Sequence, residues 1–146
     1  MCRDELWERM LNLSNTAPRK ILIVDDEAAV ADSLRLIFSN CGYEVRAAYS
    51  AEQAIEVLAE WRPDLAIVDV MLPQMNGIQL AGILKANYPD CRILLMSGHP
   101  GTAELLIDAQ KQGNAFEVLA KPLHPTFILD MVSGLLPGQQ SGAEVN

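Results

Sequence analysis

The chain has 146 residues, of which 50% are hydrophobic and 21% charged, with a formal net charge of −8. That length supports one well-buried domain and leaves little for a second. The acidic balance and the lack of any Lys/Arg run argue against a surface that neutralises nucleic-acid phosphates, so direct DNA binding is not expected.

In chain order, MCRDELWERMLNLS mixes charges into its apolar residues and lacks the continuous apolar core of a signal peptide. Residues 1–18 read as an N-terminal extension, with Leu6, Met10 and Leu13 spaced for a short extra helix. Lys20 to Val24 is a strand that runs into Asp25, Asp26 and Glu27. From Ala28 to Cys41 the apolar positions fall at helical spacing, and Gly42 is the stop. A strand from Tyr43 to Ala48 and a helix from Ala51 to Trp61 follow, then a continuous apolar strand from Leu65 to Val68 that ends in Asp69. The Asn76-Gly77 turn opens a helix over Ile78 to Ala86, and Arg92 to Met96 is the fourth strand. Pro63 and Pro89 each end the helix before them. Thr102 to Lys111 is helical, Phe116 to Leu119 the fifth strand, and Pro125 to Leu136 the last helix. Residues 19–137 thus form the domain. Residues 138–146 read as a flexible tail too short for a DNA-binding or enzymatic module, so a stand-alone domain or a segment of a longer protein is expected. No stretch reaches membrane-spanning length. Cys2, Cys41 and Cys91 are odd in number and far apart, with no CxxC pair, so reduced thiols and a cytoplasmic location are expected.

Alternating strands and helices imply an α/β fold: a parallel sheet covered on both faces, with function at the carboxyl ends of its strands. The residues at those ends are Asp25, Asp26, Asp69, Ser97 and Lys121. Singly, each has an ordinary explanation. Asp26 can N-cap the first helix with Glu27 in its first turn, Ser97 can cap the fourth helix, and Lys121 can be a solvated charge. Jointly they converge, because a doubly wound order brings the first, third, fourth and fifth strand ends together.

Two carboxylates about 4 Å apart repel by about 4 kcal/mol at an effective dielectric near 20, so three in one site raise one another's pKa or recruit a cation. All-oxygen ligation suits Mg²⁺, whereas zinc would want His or Cys. With Lys121 opposite the metal and a Ser97 hydroxyl between, the site suits a phosphoryl dianion. Asp69 stands alone on the central strand and is the candidate nucleophile, while the pair Asp25 and Asp26 is better placed for metal.

The segments ILIVDDE (21–27), LAIVDVMLPQMNG (65–77), LLMSGH (94–99) and LAKPL (119–123) together resemble, in order, a response-regulator receiver domain of two-component signalling. The resemblance implies a flavodoxin-like (βα)5 fold with strand order 2-1-3-4-5. It implies that Asp69 accepts phosphate from a phosphohistidine in a histidine kinase or phosphotransfer protein. Asp25 and Asp26 then match the Mg²⁺-holding acids, with the backbone carbonyl of Met71 completing the protein ligands. Ser97 matches the Ser/Thr that follows the phosphate, and Lys121 the lysine that pairs with it. The Lys121-Pro122 bond matches a cis peptide. The expected output is a changed surface for a downstream protein, with homodimerisation through the fourth and fifth helices or the N-terminal extension left open. The family's usual aromatic three residues before the lysine is replaced by Val118, and Phe116 is a partial substitute or simply core. His99 and Met71 fall where the family tunes phosphoryl loss; His124 carries no assigned role.

Three rival readings stand beside this one. An aspartyl-phosphate phosphatase similar to haloacid-dehalogenase-like hydrolases would place a second Asp two residues after the nucleophile, where Met71 stands. Fast turnover is therefore not expected. A flavin binder of the same fold needs a hydroxyl- and glycine-rich loop where this chain has DDE, and no nucleotide-binding glycine motif is present. A receiver-like interaction domain that works without phosphorylation is the third.

Overall fold

The computed structural model describes residues 18–98, 102–111, 113, 116–122 and 124–136. In chain order the elements are β1 (Lys20–Val24), α1 (Ala28–Asn40), β2 (Glu44–Ala48), α2 (Ala51–Glu60) and β3 (Leu65–Asp69). They continue as α3 (Gly77–Asn87), β4 (Arg92–Ser97), α4 (Thr102–Lys111), β5 (Glu117–Ala120) and α5 (Pro125–Leu135). The strands form one parallel sheet in the order β2-β1-β3-β4-β5, as expected from the resemblance. The expected extension and tail lie largely outside the described residues.

Burial on both faces explains why β1 and β3 read as unbroken apolar runs. Ile21 to Val24 and Leu65 to Val68 are all 0% exposed. Successive side chains point to opposite faces. Leu22, Val24, Ala66, Val68 and Leu95 therefore meet α2 and α3, whereas Ile21, Ile23, Leu65, Ile67, Leu94 and Met96 meet α1 and α5.

Local chemistry sets the ends of the helices. Ser50 caps α2 by accepting from the Gln53 amide, and Asn76 and Gln79 form a reciprocal capping box on α3. Gly42, at φ 96°, turns the chain after α1, a conformation that costs glycine little. After α2, the Trp61 indole N–H donates to Glu44 at 2.8 Å, and the Arg46 guanidinium lies 4.9 Å from the ring centroid. This ties the helix to the edge strand. No helix among the described residues is long and apolar enough to cross a membrane.

The ordinary alternative for Asp26 fails, and one expectation is corrected. Asp26 does not cap α1: Glu27 holds the N-cap position, without a side-chain cap bond, and its carbonyl accepts from Val30 and Ala31. Nor are all the thiols reduced. Cys91 is free and buried, its pKa pushed up to about 12 by burial and then by Asp64, but Cys41 is disulfide-bonded, with its partner outside the described residues. Spacing along a sequence does not report which cysteines meet in space.

Candidate functional site

β1 and β3 run side by side with Val24 opposite Val68, so Asp25, just after β1, and Asp69, the last residue of β3, stand together at the carboxyl ends of the strands. Both are buried, at 0% and 2% exposure, while Asp26 is exposed. One carboxylate oxygen from each of Asp25, Asp26 and Asp69 lies within 4.8 Å of the other two. Lys121 arrives from the far side, beyond β4 and β5, its backbone N–H donating to the Ser97 carbonyl at 2.9 Å. Its ammonium then reaches across, with Nζ 2.8 Å from Asp25 Oδ2, 3.0 Å from Asp69 Oδ2 and 3.4 Å from Glu27 Oε1. The lysine stem rests on Gly98, where an added Cβ would come within 3.2 Å of it. The Lys121-Pro122 peptide is cis.

Asp69 is held from three directions. Its Oδ1 accepts from the Met71 amide at 3.2 Å, the Val70 amide donates to Met96 at 2.9 Å, and the Gly77 amide closes the loop onto the Val70 carbonyl at 2.8 Å. A Cβ at Gly77 would collide with the Asp69 backbone carbonyl, so α3 seats directly on the end of β3. Burial pushes the Asp69 carboxyl above the usual range; the hydrogen bond from Lys121 opposes the rise and the charge of Asp25 adds to it. Burial alone would lower the Lys121 ammonium, but its hydrogen bonds to Asp25 and Asp69 outweigh that and hold it above the ordinary lysine value.

A cavity of about 580 Å³ opens over these groups, lined in part by Asp26, Glu27, Asp69, Met71, Gly98 and Lys121. Ser97 is the half-buried last residue of β4, paired with Ala120. The structure thus brings Asp25, Asp26, Asp69 and Lys121 together, with Ser97 at the neighbouring strand end and the Met71 amide on Asp69. His124 is exposed at the start of α5, and His99 lies outside the described residues. Phe116 packs on the core beneath the Lys85 ammonium, 5.8 Å from its ring centroid, at the end of β5 away from Lys121. That is the position of a core residue. Two participants escaped the sequence reading. Glu27, whose only signal was the third acid of DDE, contacts Lys121, and Gly77, visible only as half of an Asn-Gly turn, abuts Asp69.

The sequence and the 2-1-3-4-5 fold are matched in known proteins. Residues 21–133 match the response regulator receiver domain. Response regulator protein FleR of Pseudomonas aeruginosa is 37% identical over 86% of this chain, which covers 26% of that protein. Response regulator MprA of Mycolicibacterium vanbaalenii is 33% identical over 82% of this chain and 51% of the relative. The chain therefore spans about half or less of the length of these relatives. Among solved structures, a CheY-like receiver domain from Methanospirillum hungatei superposes with a TM-score of 0.75 at 27% identity, over 85% of this chain and 98% of that one. The signal receiver domain of an HD domain-containing protein from Pseudomonas fluorescens gives 0.76 at 30% identity, over 86% and 99%. The chain belongs to the response-regulator receiver domain family of two-component systems.

Proposed function

We propose that residues 19–137 act as a phosphorylation-dependent switch, in which Asp69 accepts a phosphoryl group from a phosphohistidine of a histidine kinase or phosphotransfer protein. The carrying observation is the placement of the Asp69 carboxylate among Asp25, Asp26 and Lys121 at the floor of the cavity. Three carboxylates converging within 4.8 Å, with no sulfur or imidazole among them, fit a hard divalent cation, so Asp25, Asp26, Asp69 and the Met71 backbone carbonyl would hold Mg²⁺. When bound, the metal supplies charge neutralisation at the transferring oxygens.

The chain's own residues carry the rest. An Asp69 oxygen attacks phosphorus, the P–N bond to imidazole breaks, and the departing nitrogen takes a proton. Lys121, already bonded to Asp69, turns an N–H toward the new phosphoryl oxygens, and the Ser97 hydroxyl donates to them. Because Lys121 and Ser97 belong to the β4–β5 side of the sheet, that pull favours one packing of α4 and α5 and so changes the surface offered to a downstream protein or a second copy. Reversing such an equilibrium from 1:99 to 99:1 takes on the order of 5 kcal/mol. Met71 stands where an aspartyl-phosphate phosphatase would place its acid, so self-dephosphorylation is slow and the chain is not a turnover enzyme. The chain acts in the cytoplasm, and DNA is not its direct ligand.

Intact-mass measurement after incubation with a small phosphodonor and Mg²⁺ tests the reading. One phosphoryl adduct is expected in the wild type and none in Asp69→Asn; equal labelling of both sinks it. Val118 in place of the aromatic favours a second reading, an interaction module that works without phosphorylation. Absence of any adduct would select that one.

A further inference from the structure

We infer that Glu27 is a specificity-determining residue at the cavity mouth, selecting against small, highly charged phosphodonors in favour of a donor delivered with compensating positive charge. The inference rests on Asp69 being the phosphoacceptor. Lys121 has three N–H donors, and the structure gives each one a carboxylate: Asp25 at 2.8 Å, Asp69 at 3.0 Å and Glu27 at 3.4 Å. The first two acceptors are buried at the floor. Glu27 differs, with a side chain 66% exposed, so it holds the ammonium from the solvent side.

Its backbone already does the helix work, accepting from Val30 and Ala31, and its side chain makes no cap bond, so helix capping does not explain where the carboxylate points. With exposed Asp26 beside it, Glu27 lines the same cavity as Asp69 and Lys121. An incoming phosphoryl group meets this carboxylate before it meets Lys121, and must take over the N–H that Glu27 holds. Both effects weigh more heavily as the donor's negative charge rises. A free dianion carries nothing to offset them. A phosphohistidine on a protein whose rim is basic brings its own counter-charge, and Glu27 then becomes an attractive contact.

The test compares wild type, Glu27→Gln and Glu27→Asp with two small donors and Mg²⁺ at neutral pH: acetyl phosphate, a dianion, and phosphoramidate, largely a monoanion. Removing one nearby charge should accelerate labelling by acetyl phosphate about fivefold. The gain with phosphoramidate should be clearly smaller. The difference should shrink at high ionic strength, and Glu27→Asp should behave like wild type. A purely structural role would alter both donors equally and ignore salt. Labelling that changes by the same factor with both donors, does not change, or slows with acetyl phosphate overturns the inference while leaving Asp69 as acceptor. No adduct with either donor in any variant would instead overturn the phosphoacceptor reading on which it stands.

Discussion

The two sides of the sheet are built to different tolerances. On the β1–β3 side every residue from Ile21 to Val24 and from Leu65 to Val68 is fully enclosed. On the β4–β5 side, Leu94 to Met96 of β4 are equally enclosed, but β5 is not: only Leu119 is buried there, and Val118 is 37% exposed. The three aspartates stand on the tight side. Ser97 and Lys121 stand on the loose one, and the salt bridges from Lys121 to Asp25 and Asp69 span the boundary. Under the proposed function, the difference says where a signal would go: a new charge on Asp69 would not shift a strand enclosed on both faces, but would draw in the partners whose own surroundings give way.

The largest test of that asymmetry removes bulk from each side. Ile67→Ala, in β3, should cost about 4 kcal/mol in denaturant unfolding because the enclosed site cannot collapse around the void. Val118→Ala, in β5, should cost under about 1 kcal/mol because solvent already reaches it. Equal costs would erase the distinction. Next in size is the bridge between the sides. Lys121→Ala leaves Asp25 and Asp69 facing each other without a counter-charge, so it should lower stability by about 3 kcal/mol in chelator-treated buffer. Millimolar Mg²⁺ should restore part of the loss by binding the folded form. Failure of Mg²⁺ to do so would mean that the acids do not act as one site.

The smallest effect is in pH. The folded Lys121 pKa lies above its ordinary value of 10.5, so its stabilisation is complete below that value and disappears as pH rises through the folded one. The Asp69 pKa is also raised, above the ordinary 3.8, so the folded chain holds that proton more tightly and stability declines as pH climbs from 3.8 through the folded value. In metal-free unfolding curves, Asp69→Asn should abolish that decline above pH 3.8, and Lys121→Ala should abolish the loss at alkaline pH.

The tight side was the more legible in the sequence. Its strands are unbroken apolar runs that end in acids, and buried parallel strands have few other compositions. Asp25, Asp26, Asp69, Ser97 and Lys121 could be read because each closes a strand, and strand ends converge whatever the details. What escaped depends on distances the sequence does not encode. Glu27 looked like a helix-start residue because its target, Lys121, lies most of the chain away. Phe116 and Val118 share a face of β5, but only the structure shows Phe116 held at the amino end under Lys85.

Gly77 gives Asp69 a fixed origin. With no side chain between the first residue of α3 and the carbonyl of Asp69, the start of the helix sits directly on the end of the strand. A force that tilts α3 would therefore be passed straight to the Asp69 backbone, and a ligand gripping the far end of that helix would have a mechanical handle on the site.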